Sequence, residues 1–174
     1  MSITMTEEQL TFTFPGGWLA MKFDDSSFYR NQFQRACGGA KAIDILAVEL
    51  QRCFWVIEVK DYRRYPRTKA INLADEIAFK VRDSLAAIVA ASVNANNKAE
   101  KQIAQHALRC PRLRVVLHLE QPAKHSKLFP RAIDPANVQQ KLKQLIKAID
   151  PHPLVLEMDR MASVAWKVAG VAAD

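Results

Sequence analysis

Residues 41–62, KAIDILAVELQRCFWVIEVKDY, decide the fold. Two runs rich in β-branched and aromatic residues, 41–50 and 52–62, meet at the polar break Gln51-Arg52, which predicts two neighbouring strands joined as a hairpin. Charged residues interrupt both runs: Asp44 stands between Ile43 and Ile45, and Glu58 and Lys60 break the second. Strand side chains alternate with a period of two, so Glu58 and Lys60 share a face with Phe54 and Val56. An antiparallel partner strand brings Asp44 to the same patch. An unpaired charge inside an apolar strand is costly, so three of them together point to a site.

Upstream, 11–23 is extended around Pro15-Gly16-Gly17, with a strand over 18–23. Asp24, Asp25, Ser26 and Ser27 are good N-caps for a short amphipathic helix carrying Tyr29, Phe33, Ala36 and Cys37 and ending at Gly38-Gly39. Downstream, Leu73, Ile77, Val81, Leu85 and Ile88 keep a helical period over 70–93, with Glu76 and Lys80 paired at i, i+4 on the outer side. A second helical piece follows over 98–109. Residues 112–120 alternate as a strand, and Asp134-Pro135 opens a helix that Pro151 and Pro153 end. Residues 154–158 form another strand and 163–169 an edge strand. The order predicts an α/β protein with a mixed central sheet flanked by helices, in one domain over 1–174.

The 174 residues carry 25 Lys and Arg against 18 Asp and Glu, a formal charge of +7. The excess lies in two blocks. Segment 60–69, KDYRRYPRTK, sets five cations against Asp61, and 109–131 sets six against Glu120. Local basic blocks suggest polyanion-contacting surfaces, with Tyr62 and Tyr65 able to stack on bases while Arg63, Arg64, Arg67 and Lys69 hold phosphates. The longest nearly apolar run, 85–93, is far short of the roughly 20 residues that span a bilayer. The N-terminus has acids where a signal peptide needs a basic stretch, and Cys37, Cys53 and Cys110 form no CxxC pattern. Reduced thiols acting as core filler in a cytoplasmic, non-membrane protein are expected. His106, His118, His125 and His152 have no zinc spacing, and no glycine-rich phosphate loop is present.

Two carboxylates converging at a sheet end suit a hard divalent cation, and a lysine beside them can orient water and neutralise a phosphoryl oxygen. Asp44, then Glu58-Val59-Lys60 on the next strand, followed by a long helix and a further strand, resemble the PD-(D/E)XK nuclease superfamily, across roughly residues 29–120. The resemblance implies a restriction-endonuclease-like core, Mg²⁺ or Mn²⁺ held by Asp44, Glu58 and the Val59 carbonyl, and Lys60 as the catalytic lysine. It implies a hydrolase acting on DNA in preference to RNA, and admits a homodimer. Ile43 stands where that family has proline, and the preceding helix offers Gln32, Gln34, Asp24 and Asp25 without selecting one. The alternative is an inactive module of the same fold that binds nucleic acid or a partner.

Overall fold

The computed structural model describes residues 1–122 and 133–171. The chain runs β1 (Ile3–Glu7), β2 (Leu10–Phe14), β3 (Leu19–Lys22), two short helical turns, β4 (Ile45–Glu49), β5 (Cys53–Asp61), α1 (Leu73–Asn94), α2 (Lys98–Leu108), β6 (Arg112–Glu120), α3 (Pro135–Ile146), β7 (Leu154–Leu156) and β8 (Lys167–Gly170). Five strands form the central sheet in the order β3-β4-β5-β6-β7, and β1-β2-β8 form a second sheet. The central sheet is mixed: β3, β4 and β5 are antiparallel neighbours, while β6 and β7 lie parallel to β5. The expected mixed α/β class is therefore what forms.

The hairpin at 41–62 fixes this arrangement. Its turn places Gln51 at φ 61°, and Ile45 pairs with Ile57, Val48 with Phe54. A parallel partner needs a crossover, which α1 and α2 supply before β6 enters beside β5. Alternation then divides the core in two. Phe54, Val56, Leu117 and Leu119 face the helices and pack against Ile77, Val81, Ile103 and Leu142. Ile45, Ile57 and Val116 face the second sheet, where Phe12, Phe14 and Trp166 fill the space. The result is three layers: helices, five-stranded sheet, three-stranded sheet.

Several expectations change. The helix after Ser27 is reduced to a π-helical stretch, Tyr29–Phe33, and a single 3₁₀ turn, Ala36–Gly38. Cys37, Gly38 and Gly39 take φ of 52°, 85° and 119°, so the chain leaves the right-handed helical region there. The long helix starts later than expected, because the Asn72 side chain accepts the Ala74 N–H as its N-cap. The C-terminal strand joins β2 instead of the central sheet, and β1 was not expected. Cys53 is buried, whereas Cys37 is exposed and so not core filler. Among the described residues no helix is long and apolar enough to cross a membrane.

Candidate functional site

Asp44, Glu58 and Lys60 converge where β4 gives out. The antiparallel ladder to β5 ends at Ile45–Ile57, so β4 offers the Val59 N–H no partner. The Asp44 side chain supplies one: its Oδ2 accepts the Val59 N–H at 2.7 Å. The Asp44 backbone carbonyl in turn accepts from Phe23 N at 2.8 Å. Asp44 thus continues the sheet by side chain on one side and main chain on the other.

Glu58 points from the same end of β5 towards α1 and is 1% exposed. Its Oε1 accepts from Lys60 Nζ at 2.6 Å and from Lys80 Nζ at 2.5 Å. Lys80 also lies 3.5 Å from Asp44 Oδ1. The cluster therefore holds two carboxylates and two ammoniums and is balanced in charge. Burial, reinforced by the charge of Asp44, lifts the Glu58 carboxyl to about 7 despite both lysines. For Lys60 and Lys80, burial opposes the charged form, yet Glu58 and Asp44 outweigh it and hold both ammoniums above their usual range. Glu58 Oε2 is buried and accepts no hydrogen bond.

Lys80 is the residue that the sequence pattern hid. It was expected to pair with Glu76 on the outer face of α1, but Glu76 is 2% exposed and pairs with Arg67 at 2.7 Å and Lys69 at 2.5 Å. Helical spacing puts the two residues on one stripe, and folding turns that stripe inward: Glu76 under the 63–69 segment, Lys80 against Glu58. Two neighbours on α1 anchor the strand entry, since Asp83 Oδ2 accepts the Lys41 N–H at 3.0 Å and Ser84 Oγ accepts the Ile43 N–H at 2.9 Å.

Lys80 also lines a cleft of about 460 Å³ with Asp24, Tyr29, Arg30, Gln34 and Lys41. Of the four upstream candidates, Asp24 and Gln34 reach this cleft and Gln32 and Asp25 do not line it. Burial, then the charge of Asp44, raises the Asp24 carboxyl to about 6. Arg30 pairs with Asp25 and Lys80 with Glu58, so Lys41 is the lining cation without an ion pair among the described residues, and it can meet an anion at the cleft mouth.

The basic aromatic segment is more occupied than its sequence suggests. Arg63 donates to Asp61 at 2.6 and 2.8 Å, and Arg67 donates to the Tyr62 hydroxyl at 3.1 Å as well as pairing with Glu76. Arg64 and Tyr65 project outward, Tyr65 at 79% exposure. Lys69 keeps an exposed stem while bonded to Glu76. On the other sheet face, His118 is buried, its Nε2 2.9 Å from Glu120 Oε1. His152 is exposed. His125 and the KHSK run of the second basic block lie outside the described residues. Among the described residues no group of three or more His, Cys, Asp or Glu is placed to hold a metal ion.

No family model matches the chain, and no solved structure matches it. The chain is similar to the cysteine–tRNA ligase of Neisseria meningitidis serogroup A, 34% identical over an alignment of 166 positions covering 78% of this chain. It covers 24% of that ligase, so the chain spans about a quarter of the length of the curated relative it matches. This similarity to a tRNA ligase overturns the PD-(D/E)XK resemblance, and the nuclease, hydrolase and DNA-cleavage readings fall with it. The restriction-endonuclease-like core and the preference for DNA lose the resemblance on which they rested.

Proposed function

We propose that the chain is an RNA-binding module for tRNA or tRNA-like RNA, acting as part of, or beside, a tRNA ligase. The observation that carries this is the similarity to a tRNA ligase over most of the chain's length. Arg64 and Lys41, exposed and without an ion pair among the described residues, support it, and so does Lys69, exposed although bonded to Glu76. Arg64 and Tyr65, with Lys69, are the direct contacts of the basic segment, where an exposed ring can stack on a base and cations hold phosphates. Arg63, Arg67 and Tyr62 fix the segment through Asp61 and Glu76. Lys41 extends the surface into the neighbouring cleft, where Arg30 and Lys80 are already paired with Asp25 and Glu58.

In this reading Asp44, Glu58 and Lys60 organise the surface. Their balanced charges hold Lys80 at the cleft mouth and close the free end of β5. Mg²⁺ or Mn²⁺ at Asp44, Glu58 and the Val59 carbonyl belongs to the proposal as a second occupant, which would supply a fixed positive charge for a phosphate oxygen. The unpartnered Glu58 Oε2 supports it, and the two ammoniums on Oε1 oppose it. A single domain over 1–174 in the cytoplasm completes the reading.

The test is fluorescence anisotropy with deacylated tRNA and with duplex DNA of matched charge. Binding of tRNA that is tighter than that of DNA, and weakened by Arg64→Ala with Tyr65→Ala, is the expected result. Equal or absent binding overturns it.

A further inference from the structure

The cluster and the 63–69 segment lie at one end of β5 and β6. At the other end is a second basic surface that neither uses. β6 begins with Arg112 and Arg114, and Arg114, Lys143 and His152 line a cleft of about 370 Å³ with Gln139 and Gln140. Arg114 is already held: its guanidinium donates to Asp150 Oδ2 at 3.3 Å and to the His152 carbonyl at 2.6 Å, and it lies over the Trp55 ring at 5.7 Å. The site is thus built on a fixed arginine, because Asp150 is itself buried and accepts the Val115 and His152 N–H groups.

Around that arginine, Arg112, Lys143 and Lys147 are exposed and make no ion pair with any described residue. Lys143 and Lys147 stand at i, i+4 on α3 and just beyond it, where like charges repel. A helix C-terminus tolerates such lysines through its dipole. That does not account for Arg112, on a strand, or His152, in a loop, at the same place. Lys143 and His152 line the cleft beside Arg114, whose charge Asp150 already balances, while Arg112 stands two residues from Arg114 and Lys147 four from Lys143. Three exposed cations without an ion pair at one end of the sheet fit an external polyanion.

We infer that this surface is a second phosphate-backbone contact, so that one RNA is gripped at both ends of β6. The inference rests on the RNA-binding reading and adds where the RNA must run. Lys60 is level with Leu119 and Cys53 with Arg112 in the β5–β6 register, seven residues apart. At about 3.3 Å per residue the two contacts lie about 23 Å from one another. A structured RNA can bridge that distance, and a short hairpin stem of less than half that length cannot.

The test compares wild type with Lys143→Glu/Lys147→Glu and with the control Lys98→Glu/Lys167→Glu, which changes net charge equally elsewhere on the exposed surface. Thermal melting first verifies that all three fold; Arg112→Gln replaces the double variant if that one does not. Affinity for deacylated tRNA is measured across salt concentrations. The expected result is at least tenfold weaker tRNA binding and a salt slope shallower by about 1.5 for the Lys143/Lys147 variant, little change for the control, and no change for either on the short hairpin. Wild type that binds tRNA while both pairs of substitutions have equal effect overturns the second contact alone. Wild type that binds no tRNA overturns the RNA reading and this inference together.

Discussion

The Asp44 carboxylate accepts the Val59 N–H at 2.7 Å, so a side chain extends the sheet just before β4 begins at Ile45. This bond ties the start of β4 to the end of β5 and sets the position of Glu58 between them.

Replacing Asp44 therefore disturbs the fold first. Asp44→Ala leaves a buried N–H without an acceptor and removes one counter-charge from Lys80, and is expected to cost about 2–3 kcal/mol. Asp44→Asn keeps an acceptor oxygen and costs less. Urea unfolding of both variants checks this; equal losses for alanine and asparagine would show that the Val59 bond is not what matters.

Glu58 makes the site sensitive to pH. Its folded-state carboxyl is raised to about 7 from the ordinary 4.5, so the native state binds the proton more tightly than the unfolded chain does. Stability is then greatest at low pH with respect to this group and declines as pH rises through the window from 4.5 to 7, by up to about 1.4 kcal/mol per unit, levelling above it. A carbon-detected NMR titration of the Glu58 carboxyl should give a midpoint near 7. A midpoint at the ordinary carboxylate value would contradict the burial argument.

Glu76 has the opposite sign. Burial works against its charge, but Lys69 and Arg67 overcome it and depress the carboxyl to about 2. Its contribution is complete above about 4.5 and is lost as pH falls from there towards 2. Glu76→Gln should remove that acid limb and destabilise the protein at neutral pH by about 1–3 kcal/mol, since Arg67 loses its buried partner. Melting temperatures of wild type and variant between pH 3 and 7 decide the matter: parallel curves would exclude it.

Lys80 sets the terms for a cation. Without it, Asp44 and Glu58 keep only Lys60, and the cluster carries net negative charge. Lys80→Ala is expected to bind Mn²⁺ at least tenfold more tightly than wild type, read by the loss of free-ion signal in electron paramagnetic resonance. Weak and equal binding by both would remove Asp44, Glu58 and the Val59 carbonyl as a cation site.

Much of this was legible in residues 41–62. Strand alternation correctly put Glu58 and Lys60 on one face, the hairpin correctly brought Asp44 beside them, and β6 was bounded correctly at 112–120. Lys80 was not legible, because periodicity gives a stripe on a helix but not which layer will cover it, and an i, i+4 acid and base read equally well as a surface pair. The basic character of 60–69 was plain, but its pairing with Asp61 and Glu76 was not, since the pair with Glu76, nine residues from Arg67, forms only when the segment folds back over the first turn of α1. The same three charged residues also suggested a hydrolytic family, which the similarity to a tRNA ligase overturned. A short charged motif specifies a juxtaposition, and its chemistry depends on the whole chain around it.

The central claim, that the chain binds RNA through its exposed cations, is tested most directly by the affinity of wild type for deacylated tRNA as salt is varied, alongside matched duplex DNA. The account predicts tighter binding to tRNA, with log affinity falling linearly against log salt over several phosphate contacts. Binding that is absent, or no stronger for tRNA than for DNA at every salt concentration, would contradict it.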